Sequence, residues 1–164
     1  MSCGKLASQL SLGSRVSIDE ATGRFITALP KIATALVAWQ ARSNHSGSVV
    51  CVSPLTDPQG VTYPGLTVQL EAKAPTAVES CLYLFTIFRL DQGKRTRAYQ
   101  LEVIPAAKRG HNGPTGPIFG PHEHFGEEAF AVVDDEVNCG DWLAAYIWFC
   151  RRCTLTAPTI ASPC

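Results

Sequence analysis

Three of the four histidines in this chain fall within one short stretch, His111 to Phe125, which reads HNGPTGPIFGPHEHF. His122 and His124 are two residues apart, so on an extended segment both imidazoles project from the same face. Their place beside a loop predicts that at least one is partly exposed. The glycines and prolines ahead of them mark a turn-rich segment that can bring His111 close to the pair. Imidazole titrates near neutrality, so one ring can accept a proton while its neighbour donates one, which suits cleavage of a phosphodiester. Two imidazoles on one strand face are also half of a metal site, with Glu123 pointing away from it. The plain alternative is a set of hydrogen-bonded histidines that orient a turn.

The charges around the motif fit the phosphodiester reading. Lys94, Arg95, Arg97, Lys108 and Arg109 flank the histidines in sequence and would form a positive rim able to bind substrate phosphates and steady a developing negative charge. An ordinary solvated hairpin tip would carry the same residues. Cys150 and Cys153 form a CxxC, but it lies inside a helical pattern, where thiols three apart are more often small core residues. A zinc site built from His122, His124, Cys150 and Cys153 is the metal alternative; the catalytic reading, resting on His111, His122 and His124, needs no cofactor. Asp91, at the end of a strand, either orients a histidine or caps its own turn, and capping is the commoner use.

Elements of both kinds must position these residues. Residues 1–16 read as a flexible arm, 17–153 as a single domain and 154–164 as an irregular tail. Ser17 to Glu20 fits a capping box, and Phe25, Ile26, Leu29, Ile32, Ala33, Leu36 and Val37 recur at helical spacing. Pro30 predicts a kink there or a break into two short helices. Beyond Ser48 the period becomes strand-like: Val49–Val52, then Leu66 to Ala74 with Leu66, Val68, Leu70 and Ala72 on one face. Cys81 to Leu90 is apolar on both faces and reads as the central strand. A turn at Asp91–Lys94 leads to Ala98–Ile104, and after the histidine loop Ala129–Val133 is strand-like. Trp142, Tyr146, Phe149 and Cys153 mark a closing helix over Asp141 to Cys153. The expected class is α+β: an antiparallel sheet of four to five strands with an N-terminal and a C-terminal helix packed on it.

The 164 residues suit one domain, and 14 basic against 14 acidic residues leave zero net charge. No global field exists to hold nucleic acid, so RNA binding would rest on a local patch. No apolar run approaches the ~20 residues that span a bilayer, which argues against a membrane partner. Seven cysteines without regular spacing, and an N-terminus lacking a secretory apolar core, suggest free thiols in a cytoplasmic protein.

Residues 82–153 carry a resemblance. Arg89-Leu90-Asp91, a basic hairpin, His111-Asn112, a Gly/Pro loop, Ile118, Gly120 and His122-x-His124 precede an aromatic closing helix. This series resembles small bacterial toxin–antitoxin and phage-defence proteins of the TumE-like toxin type. It is closer still to an uncharacterised pattern of the form Arg-x-Asp, His-x-Asn-Pro-Asp-Gly, Gly-x-His-x-His. In this chain Asn112 and Pro114 are separated and the Asp is missing. The resemblance implies a toxin-like, RNA-directed module, a possible ribonuclease of bacterial or mobile-element origin, with His111, His122 and His124 at the matched positions and a cognate antitoxin or other protein as partner. The competing expectation is a non-enzymatic interaction or metal-binding protein.

Overall fold

The computed structural model describes residues 17–36, 38–73 and 77–163. The expected arm at 1–16 lies outside the described residues. In chain order the elements are α1 (Glu20–Ala28), β1 (Lys31–Ala33), β2 (Gln40–Ala41), β3 (Ser48–Thr56), β4 (Thr62–Lys73), a 3₁₀ turn (Val78–Ser80), β5 (Tyr83–Asp91) and β6 (Lys94–Val103). They continue with β7 (Arg109–Gly113), β8 (Gly116–Phe119), β9 (His122–Phe125), β10 (Glu128–Ala131), α2 (Trp142–Arg152) and β11 (Leu155–Thr156). No helix among the described residues is long and apolar enough to cross a membrane.

The α+β class holds, but the sheet is larger than expected. Nine strands form one sheet in the order β10-β9-β6-β5-β4-β3-β1-β11, with β2 also paired to β3. All its pairings are antiparallel except β1 with β11. The central-strand reading of Cys81 to Leu90 corresponds to β5, between β4 and β6. Gln92 and Gly93 join β5 to β6, both at positive φ (49° and 75°). That pairing of angles gives a turn whose twist matches the strands it connects.

The N-terminal helix departs from expectation. Its cap is Asp19, whose carboxylate accepts from the Thr22 amide at 2.8 Å, rather than Ser17. The helix stops at Ala28, because the residue before a proline is driven out of the helical region. Past Pro30 no second helix forms; Lys31–Ala33 joins the sheet between β3 and β11. The Lys31 ammonium is buried and donates to the carbonyls of Ile26 (2.7 Å), Thr27 (2.9 Å) and Leu29. It thereby satisfies the C-terminal carbonyls of α1, which have no partner within the helix. The tail is corrected too, since β11 lies within it.

Both helices pack on one face of the sheet. Leu66, Val68, Leu70 and Ala72 of β4 are buried on that face, with Tyr83, Phe85 and Ile87 of β5 and Tyr99, Leu101 and Val103 of β6. Phe85 meets Phe149 and Trp142 of α2 at ring-centroid distances of 5.4 and 6.0 Å. Thr67, Gln69 and Glu71 turn to the other face, as the alternation predicts.

The expectation of seven thiols is corrected: Cys81 and Cys139 form a disulfide that ties the start of β5 to the loop before α2. Their Cα atoms lie 5.8 Å apart, within the range a disulfide spans. Cys150 and Cys153 form no disulfide. Irregular spacing in sequence says nothing about distance in space, so the cysteine pattern gives no ground for assigning a reducing compartment.

Candidate metal centre

Strand β9 carries His122-Glu123-His124-Phe125, and its two histidines share the face turned away from the helices. Register sets their neighbours. His122 lies opposite Glu102 of β6 and Ala131 of β10; His124 lies opposite Gln100 and Ala129. Directly opposed residues of an antiparallel pair have adjacent side chains, and the small alanines on β10 leave the imidazoles room. The expectation of partial exposure fails, because His122 is 0% and His124 1% exposed.

Their cover is the β7–β8 hairpin, a separate two-stranded sheet. It lays His111 over the pair, with ring centroids 4.9 Å from His124 and 6.2 Å from His122. The centroids of His122 and His124 are themselves 5.1 Å apart. The backbone of β7 passes so close to His122 that a Cβ at Gly110 would run into the imidazole and into Ile104. Only glycine allows the hairpin to seat there.

The hydrogen bonding of His122 fixes its chemistry. Its Nδ1–H donates to the Gly120 carbonyl at 3.1 Å, which turns Nε2 toward the cluster. That Nε2 is buried without a hydrogen-bond partner and faces a Glu102 carboxylate oxygen at 3.6 Å. A cation between them, a proton or a metal ion, would join the imidazole to the half-buried carboxylate. His124 Nδ1 is buried and unpartnered as well. The ligating atoms of Glu102, His122 and His124 all lie within 4.8 Å of one another. A tetrahedral ion with bonds near 2.0 Å sets its donors roughly 3.3 Å apart, so a small inward adjustment would bring all three to one ion.

Burial, then the charge of Arg97, then the neighbouring imidazoles His122 and His111, push His124 down from 6.5 to about 3. Its ring is therefore neutral at ordinary pH, the form that ligates metals. Arg97 is half-buried beside it, donating to the Gly126 carbonyl and to Gln100, at 3.1 and 3.0 Å.

The structure brings His111, His122 and His124 together, as a site residue set requires, but does not gather the five basic residues into a rim. Lys94 is exposed at the tip of the β5–β6 hairpin. Arg95 stacks its guanidinium on Phe88 at 3.9 Å. Lys108 and Arg109 lie exposed past the other end of β6, with Arg109 bonded to Asn112. Arg97 alone is placed among the histidines. The four-ligand zinc alternative is corrected: Cys150 and Cys153 belong to the helix side of the sheet, opposite the histidines. Burial pushes the Cys150 thiol up to about 11 and holds the Cys153 thiol well above its ordinary value. Asp91 pairs with Arg89 at 3.5 Å at the strand's end and orients no histidine. Glu123 points away from the cluster as expected. Glu102 was missed, because only the β6–β9 register reveals it. Comparison with protein-family models, with curated proteins and with solved structures returned no match.

Proposed function

We propose that this chain binds a divalent transition metal, of the zinc class, through Glu102, His122 and His124. What carries the reading is the pair of buried, unpartnered imidazole nitrogens converging with a carboxylate. Buried polar groups almost always have partners, and two orphans aimed at a third donor are poorly explained by stability. Imidazole and carboxylate donors suit zinc and neighbouring first-row ions better than calcium or magnesium. The Gly120 carbonyl supplies the outer hydrogen bond that typically orients a ligating histidine.

RNA-directed acid–base chemistry by the same histidines is the second reading, and Arg97 beside His124 favours it. It requires the β7–β8 hairpin to lift, because neither strand imidazole is open to a phosphate group. Metal content of protein purified without a histidine tag separates the two. About one equivalent is expected in the wild type, lost in His122→Ala and His124→Ala and kept in the exposed-histidine control His45→Ala. A protein that stays metal-free after dialysis against micromolar zinc, iron, manganese or cobalt, yet cleaves RNA in the presence of chelator, would replace the first reading with the second.

A further inference from the structure

The three protein donors leave one position of a four-coordinate ion to be filled, and the side chain standing over them is His111. Building on the metal reading, we propose that His111 is an exchangeable fourth ligand, carried on a detachable hairpin, and that a small anion takes its place when it leaves. His111 is not among the three residues whose donor atoms lie within 4.8 Å of one another. It is nevertheless set up as His122 is. Its Nδ1 bonds to a nearby backbone carbonyl, that of Asn112, at 2.8 Å, which leaves Nε2 as the nitrogen available to a ligand. Its ring stands edge-on to His124, at 85°. Two imidazoles of one cluster with the same nitrogen turned to a backbone carbonyl match the outer-shell pattern of metal-binding histidines.

The hairpin is lightly held. His111 itself is exposed, Ile118 is the only buried side chain of β7 and β8, and Phe119 remains 54% exposed. Backbone hydrogen bonds at its base join Gly120 to Lys108 and Lys108 to Pro105; no ladder ties it to the nine-stranded sheet. Segments with so little buried apolar contact open at low free-energy cost. Arg97 places a cation near His124, so the position that His111 would vacate favours an anion over a neutral molecule. The ligands it suits are small oxyanions and carboxylates, which can bond to an ion and to a guanidinium together.

Cobalt(II) and thiocyanate test this. Four-coordinate cobalt absorbs strongly in the visible, and its band positions shift when an imidazole is exchanged for water or an anion, so the spectrum reports the identity of the fourth ligand. The wild type loaded with cobalt is expected to show the strong spectrum. His111→Ala should show shifted bands, bind cobalt roughly tenfold or more weakly, and take up thiocyanate at lower concentration than the wild type. Arg97→Gln should weaken the thiocyanate response while leaving the cobalt spectrum unchanged. Equal cobalt affinity, spectrum and thiocyanate response in His111→Ala and wild type would overturn the proposal while the metal reading stands. Failure of the wild type to bind cobalt at all would remove both.

Discussion

Glu123 and its two neighbours on β9 make a controlled comparison within three residues. Glu123 turns toward the helices, is 8% exposed, and has every need met. Arg152 grips both its oxygens at 2.6 and 2.8 Å, and the Tyr99 hydroxyl donates at 3.0 Å. His122 and His124 turn the other way, are more deeply buried, and keep a nitrogen each without a partner. Among the described residues the helix side has a single orphan of its own, the Trp142 indole N–H, but that ring stacks on Tyr146. A completed polar network rigidifies a fold. An incomplete one that converges on a point marks a place kept for something else.

The largest effect expected on the completed side comes from its covalent fastener. Cys81–Cys139 closes a long loop, with 58 residues of sequence separation, and removing such a bond typically costs about 2–4 kcal/mol. Cys81→Ala with Cys139→Ala should lower the melting temperature by roughly 4–16 °C for a chain of this size. Zinc binding, measured calorimetrically, should be unchanged. A loss of metal affinity in step with stability would mean that the two faces are not separable.

Next in size is the ion pair itself. Glu123→Ala strands Arg152 and the Tyr99 hydroxyl. The Arg152 side chain keeps 40% exposure, so the cost should fall below that of a fully buried pair, at about 2–3 kcal/mol. Urea unfolding measures it, again with metal affinity untouched. A change under 0.5 kcal/mol would show that the network adds little, and would blunt the contrast.

How much of this was legible follows the range of each interaction. The pairing of His122 with His124 was readable because a strand repeats every two residues. The β4 faces and the closing helix were readable for the same kind of reason. Glu102 was not: it lies across a strand pair whose register is set by the β7–β8 hairpin inserted between β6 and β9. Burial of the two imidazoles depends on that same hairpin, which looked like a loop because its glycines and prolines are turn formers. Ile32 and Ala33 kept helical spacing beyond Pro30, yet tertiary pairing with β3 and β11 drew them into the sheet. Strands as short as β1, β2 and β11 carry no periodic signal, so the sheet was undercounted. The Cys81–Cys139 bond is a meeting of distant segments that spacing cannot foretell.

The smallest effect at neutral pH should come from the incomplete side, and its sign is the informative part. His124→Leu replaces an imidazole holding an unsatisfied nitrogen with an apolar side chain of similar size. In metal-free protein at pH 7 the change should be within about 1 kcal/mol, neutral or stabilising, since removing a buried unpaired polar group relieves a cost. Acid then separates the two proteins further. The unfolded chain protonates His124 near 6.5, whereas the folded chain resists until about 3. Between those values the unfolded state binds the extra proton, so wild-type stability falls as pH falls through that window, by up to about 1.4 kcal/mol per pH unit. His124→Leu should lose that part of the acid slope, and saturating zinc should shift the wild-type melting point upward without moving the variant's. If denaturant melts in chelator between pH 7 and 4 give parallel slopes for the two proteins, the imidazole titrates as a solvated one would. The contrast between the two sides of β9 then disappears.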